Sequence, residues 1–138
     1  MNVSIEDYMR TIFGIYERQP DKTAGIKAID VSCGLKVSKP SVSEMIRKLF
    51  AMGYIRSRPY SRIFLTKKGL NEAKRIMHNH RVIEVFLKKV LRHEGCVHEE
   101  AHRLEHAFSE ESVRRLDSYL KHPKTCPDGQ EIPHDSAF

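Results

Sequence analysis

Apolar residues along this chain recur mostly at helical spacing. Ile5, Tyr8, Met9, Ile12, Phe13 and Tyr16 lie three and four residues apart behind Ser4, which predicts an amphipathic helix capped by that serine. Gln19-Pro20-Asp21 breaks it. A short helix is expected from Ile26 to Val31, ended near Cys33-Gly34. Ser38-Lys39-Pro40-Ser41 reads as an N-cap with an early helical proline, opening a helix that buries Val42, Met45, Ile46, Leu49 and Phe50 and stops at Gly53. Two strand-like pieces, Tyr54–Arg56 and Arg62–Leu65, flank a Pro59-Tyr60-Ser61 turn. A long helical pattern then runs from Thr66, as N-cap, to about Leu91, with Gly69 as an early weak point. Beyond His80 it is apolar on several faces, which predicts burial on several faces, within a small protein most cheaply against a second copy of the chain. After Gly95 come a helix carrying histidines and another from Ser109 through Leu120, then a Pro/Gly-rich tail expected to be irregular.

This order of elements is that of a winged helix-turn-helix, in which the second helix of the pair enters the major groove of DNA. The residues it would present are Ser38, Lys39, Pro40, Ser41 and Ser43, with Glu44 beside them and Arg47 one turn on. Arg56, Arg58, Tyr60 and Arg62 are candidates for the wing. Charge favours this reading over a bare packing scaffold. Residues 1–70 hold 13 Lys/Arg against 6 Asp/Glu, whereas residues 71–138 hold 11 against 12, so the +6 net charge sits in the first half. Two domains are therefore expected, 1–70 for DNA binding and 71–138 for ligand sensing or self-association. Three cysteines without CxxC spacing, no signal-peptide pattern and no apolar run near the roughly 20 residues of a membrane span point to a cytoplasmic protein.

All eight histidines lie beyond residue 77, and His98, His102, Glu105 and His106 share one stripe of the predicted helix. Three imidazoles and a carboxylate at that spacing are a donor set for a divalent transition metal, the competing reading being a merely polar helix face. His80 and Glu84, four residues apart on the long helix, would add a second site beside His98 if the two helices pack antiparallel. His102-Arg-Leu-Glu105-His106 also matches the HxxEH pattern of inverted zinc peptidases, a short pattern that recurs by chance. The chain is too small for the scaffold of such enzymes, so a non-enzymatic protein is expected.

EDYMRTIF, SKPSVSEMIRKL, LTKKG and the HR…E, H-x3-H-x2-EH pattern together resemble the diphtheria-toxin-repressor family of metal-dependent repressors, which includes the manganese transport regulators. The resemblance runs from residue 4 to about 133 and is to the short form, without an SH3-like domain. It implies a mainly α fold, a winged helix-turn-helix followed by an all-helical dimerisation and metal-binding domain. It also implies a homodimer that binds a double-stranded DNA operator and represses metal-uptake genes. Its primary metal site would be Asp7, His102, Glu105 and His106, and its ancillary site His80, Glu84 and His98. Cys126 and Asp128 in the TCPDG stretch resemble a loop that supplies further ligands in some members. Two positions depart from the manganese pattern: Arg10 stands where those members carry a Glu ligand, and His102 stands where they carry Glu and iron-type members carry Cys. Fe(II) and Mn(II) are the family's usual cues. A nitrogen-rich set without thiolate leaves Zn, Co and Ni open.

Overall fold

The computed structural model describes residues 4–56 and 62–134, six helices and a two-stranded antiparallel sheet among them. The chain forms two compact units, Met1–Lys74 and Arg75–Phe138.

In the first unit α1 (Ile5–Arg18) packs on α2 (Ala28–Leu35), and α2 packs on α3 (Lys39–Ala51). Ser4 caps α1 in a full capping box, in which its side chain accepts from the Asp7 N–H and the Asp7 carboxylate accepts from the Ser4 N–H. Tyr8, Met9, Ile12 and Phe13 form its buried stripe. The second helix starts later than its pattern predicts. Ile26 is not helical; it is buried and pairs with Ile63 as an isolated bridge, and the helix runs on through Cys33 and Gly34 to Leu35. The left-handed terminating residue is Lys36, at φ 55°. Gly34 lies inside the helix, where a Cβ would stand 3.1 Å from Thr11 Cγ2, so its smallness serves the α1 contact rather than a chain reversal.

α3 begins as expected, with Ser38 accepting from the Ser41 N–H and Pro40 in the first turn. Val42 and Leu49 are buried and Met45 and Ile46 half-buried, but Phe50 is 57% exposed. Eight residues beyond Val42, it lies about 80° around the helix from that residue and off the buried stripe. β1 (Ile55–Arg56) pairs antiparallel with β2 (Phe64–Leu65), Ile55 opposite Leu65. The wing residues Arg58, Pro59, Tyr60 and Ser61 lie outside the described residues.

α4 (Lys67–Lys89) begins in the first unit and continues through the second. Thr66 Oγ1 accepts from the Gly69 N–H at 3.0 Å, the expected cap. Gly69 is no weak point, because a Cβ there would sit 1.8 Å from the Tyr54 carbonyl oxygen, so only glycine allows the β1 end to approach this helix. Its C-terminal half is buried on two faces by its own unit, while Val90 and Leu91 at its end stay exposed. Ile83 and Leu87 pack with Val97, Ala101 and Val113, while Val82 and Val85 pack with Cys126 and Ile132. Arg92 takes a left-handed φ of 54° and the His93 N–H bonds Leu87 O at 3.0 Å, ending α4 before Gly95 is reached.

α5 (His98–Ala107) and α6 (Glu110–Tyr119) follow, the latter capped by Ser109. The tail is less irregular than its composition suggests. Thr125 and Glu131 pair as a bridge around a turn, Arg81 donates to Glu131 O at 2.5 Å and to Gln130 Oε1 at 2.9 Å, and Ile132 is buried.

Candidate metal centre and DNA-facing surface

Helical geometry brings six of the seven expected metal ligands together as two adjoining triads in the second unit. Position 80 and position 84 are one turn apart on α4, so both side chains face α5, and position 98 opens α5 beside them. His80 Nε2 stands 3.1 Å from His98 Nδ1 and 3.5 Å from Glu84 Oε1, and His98 Nδ1 is 4.0 Å from Glu84 Oε2. His80 and Glu84 are buried at 2% and 6% side-chain exposure, whereas His98 is 56% exposed. One to two turns along α5, His102, Glu105 and His106 form the second triad, with the two imidazole Nε2 atoms 3.4 Å apart. The stripe inferred from the sequence is thus divided. His98 joins the α4 pair, and the three later residues form a group of their own.

The two triads share a hydrogen bond. His80 Nδ1 donates to Glu105 Oε2 at 3.0 Å, with Glu105 only 4% exposed. That bond assigns the proton of a neutral ring to Nδ1 and leaves the Nε2 lone pair directed at Glu84 and His98, the arrangement a metal-binding histidine needs. Two buried carboxylates facing imidazoles are costly without a compensating positive charge. Residues of this kind, with oxygen and nitrogen donors and no thiolate, fit a divalent cation.

In the first unit Asp7 is engaged locally. Its Oδ2 accepts from the N–H and the hydroxyl of Ser4, each at 2.9 Å, and its Oδ1 accepts from Arg10 Nη2 at 2.8 Å. Arg10, a departure from the manganese-type pattern, therefore sits on the carboxylate that the resemblance makes a ligand. Neither this ion pair nor the His80–Glu105 bond is legible from donor spacing alone, although Asp7 and Arg10 are three residues apart on one helix face. Cys126 is buried among Val82, Val85 and Ile132, an apolar setting that accounts for it as packing, and Asp128 is exposed. Among the described residues neither belongs to a group of converging metal donors.

Ser38, Lys39, Pro40, Ser41, Ser43, Glu44 and Arg47 are all exposed at the start and outer face of α3, and Arg56 and Arg62 are exposed on the wing strands' flanks. The Ser38 and Ser41 hydroxyls hydrogen-bond to each other at 2.8 Å, so capping uses part of their capacity and pins the helix start.

Residues 1–63 match the iron dependent repressor N-terminal DNA binding domain, and residues 66–134 match the iron dependent repressor metal binding and dimerisation domain. The chain belongs to the iron-dependent repressor family. It is 36% identical over 122 residues to a helix-turn-helix transcriptional regulator of Methanocaldococcus jannaschii, covering 88% of this chain and 95% of that one. It is also 35% identical over 132 residues to the iron-dependent repressor IdeR of Mycobacterium leprae, covering 93% of this chain but 54% of that protein. Among solved structures, the metal-dependent transcriptional regulator MtsR superposes with a TM-score of 0.85 at 37% identity, over 97% of this chain and 61% of that one. A manganese-dependent transcriptional repressor solved with manganese gives 0.84 at 31% identity, over 95% and 59%. The chain thus spans little more than half the length of several relatives it resembles. The family is one of metal-dependent DNA-binding regulators, not enzymes, so the hydrolase reading of HRLEH is set aside. No helix among the described residues is long and apolar enough to cross a membrane.

Proposed function

We propose that this chain is a metal-activated transcriptional repressor that acts in the cytoplasm as a homodimer on an operator in double-stranded DNA, controlling metal-uptake genes. The observation that carries this reading is the pair of triads joined by the His80–Glu105 bond, in a unit of the family's metal-binding type. His80, Glu84 and His98 would hold one ion, and His102, Glu105 and His106 a second, with Asp7 completing the second set. Fe(II) and Mn(II) are the favoured ions, in keeping with the names of the relatives; Zn, Co and Ni remain candidates for a set this rich in imidazole, and the related ScaR has been solved with Zn2+.

When bound, the ion supplies positive charge and a coordination sphere that neutralises the converging carboxylates. Asp7 belongs to the DNA-binding unit and the remaining ligands to the other, so recruiting Asp7 couples ligand binding to the disposition of α3. In a dimer that disposition sets the spacing of two recognition helices, which must match half-sites about one helical turn apart. Moving such an equilibrium from 1% to 99% competent requires roughly 5.5 kcal/mol of differential affinity. Arg10 already satisfies Asp7 electrostatically, so Asp7 changes partner on activation rather than leaving an unpaired state.

The test is Asp7→Ala, with duplexes enriched from a random-sequence pool by the wild-type protein in Mn(II). The variant keeps its fold and its dimer but loses metal-stimulated DNA binding. A normal metal response in that variant contradicts the coupling.

A further inference from the structure

The two triads leave another cluster of metal-type donors unused. His78 and His80 are two residues apart on α4, about 200° around the helix, so they face opposite ways. Where His80 faces α5, His78 faces α6 and the C-terminal segment. There Asp117 Oδ2 lies 3.4 Å from His78 Nε2 and 2.9 Å from His122 Nδ1, and Asp117 Oδ1 lies 3.3 Å from His134 Nε2. His78 and Asp117 are buried, at 3% and 7% exposure, beneath the more exposed His122 and His134.

The hydrogen bonds around His78 decide which atom of its ring faces Asp117. Asn79 donates through Nδ2 to Glu110 Oε1 at 3.1 Å, which turns its carbonyl Oδ1 toward His78 Nδ1 at 3.0 Å. His78 Nδ1 must therefore carry a proton to donate to it. A neutral His78 then directs the bare lone pair of Nε2 at a buried carboxylate oxygen, an acceptor facing an acceptor. Something positive must lie between them, either a second ring proton or a cation.

We propose that His78, Asp117 and His134 form a further divalent-metal site, distinct from both triads, with His122 holding the Asp117 carboxylate in place from outside the donor group. Two imidazoles and one carboxylate in a small, partly buried cluster, with a fourth position open to water, match zinc chemistry and sit far from the oxygen-rich preference of Mn(II). The ligands come from α4, from α6 and from the segment beyond the Thr125–Glu131 bridge. An ion here ties the end of the chain to the helical core, a structural role independent of DNA binding.

The experiment is metal counting on the full chain after equilibrium dialysis against Zn(II), with Co(II) absorption as a report of coordination. His134→Gln, at an exposed position, and Asp117→Asn are compared with the wild type, with circular dichroism as the control for folding. The wild type binds one equivalent more than either variant, and its tetrahedral Co(II) bands lose intensity in both. Equal zinc stoichiometry in wild type and His134→Gln overturns the site and leaves a protonated His78 on Asp117 as the explanation of the cluster.

Discussion

Glu105→Gln separates the two triads' shared bond from their individual ligands. Glutamine has nearly the shape of glutamate and can still accept from His80 Nδ1–H through its carbonyl, so packing and the 3.0 Å contact survive while the negative charge is lost. The cost to folding should be below about 1 kcal/mol, since one neutral hydrogen bond replaces a charge-assisted one. The cost to metal binding is larger and appears at both triads. At His102/Glu105/His106 a charged ligand is removed outright. At His80/Glu84/His98 the change acts at second hand, because the carboxylate that raises the basicity of the His80 ring is gone. Outer partners of ligating histidines typically contribute 10–100-fold in affinity, about 1.4–2.7 kcal/mol. With the His80 and Glu105 side chains only 2% and 4% exposed, solvent screens little and the upper part of that range is expected. Calorimetric titration with Mn(II) should show both classes of binding weakened in Glu105→Gln and only one in His102→Ala. If Glu105→Gln leaves the affinity of the His80/Glu84/His98 triad unchanged, the hydrogen bond does not couple the sites.

Arg10→Gln should lower the metal concentration needed for half-maximal DNA binding by at least roughly 1.4- to fivefold, because displacing even an exposed ion pair costs about 0.2–1 kcal/mol and this one is largely buried; a rise in that concentration would show that Arg10 assists metal capture. Arg47→Ala and Lys39→Ala, both on the exposed face of α3, should weaken DNA binding. If each residue holds a phosphate, each substitution should also reduce the slope of log affinity against log salt by about one. Gly69→Ala should destabilise the protein by about 1–3 kcal/mol in urea unfolding, since the new methyl meets the Tyr54 carbonyl oxygen; a neutral result would mean that β1 and α4 separate easily.

Much of the fold is legible in local pattern because its punctuation is local. Ser4, Ser38, Thr66 and Ser109 each accept from a backbone N–H at a helix start, a role fixed by residues within three positions. What pattern misread depends on distant partners. Ile26 looks helical until Ile63 is brought beside it, Gly69 looks like a flaw until the Tyr54 carbonyl is in view, and the tail looks irregular until Cys126 and Ile132 fold back on α4. The candidate site divides in the same way. His102, Glu105 and His106 are readable from their spacing on one helix, and His80 with Glu84 from a single turn. The His80–Glu105 bond spans 25 residues and the His78–Asp117 contact 39, separations at which spacing carries no information about direction.

The central claim, that metal controls DNA binding, is tested most directly by fluorescence anisotropy of a labelled duplex enriched as above. Wild-type protein is titrated at fixed ionic strength with Mn(II), with anaerobic Fe(II), with Zn(II) and with chelator. Affinity should rise at least tenfold with one or more of the ions and fall back when chelator is added. Equal affinity in chelator and in every metal would contradict the account and leave a winged-helix regulator that does not sense metal.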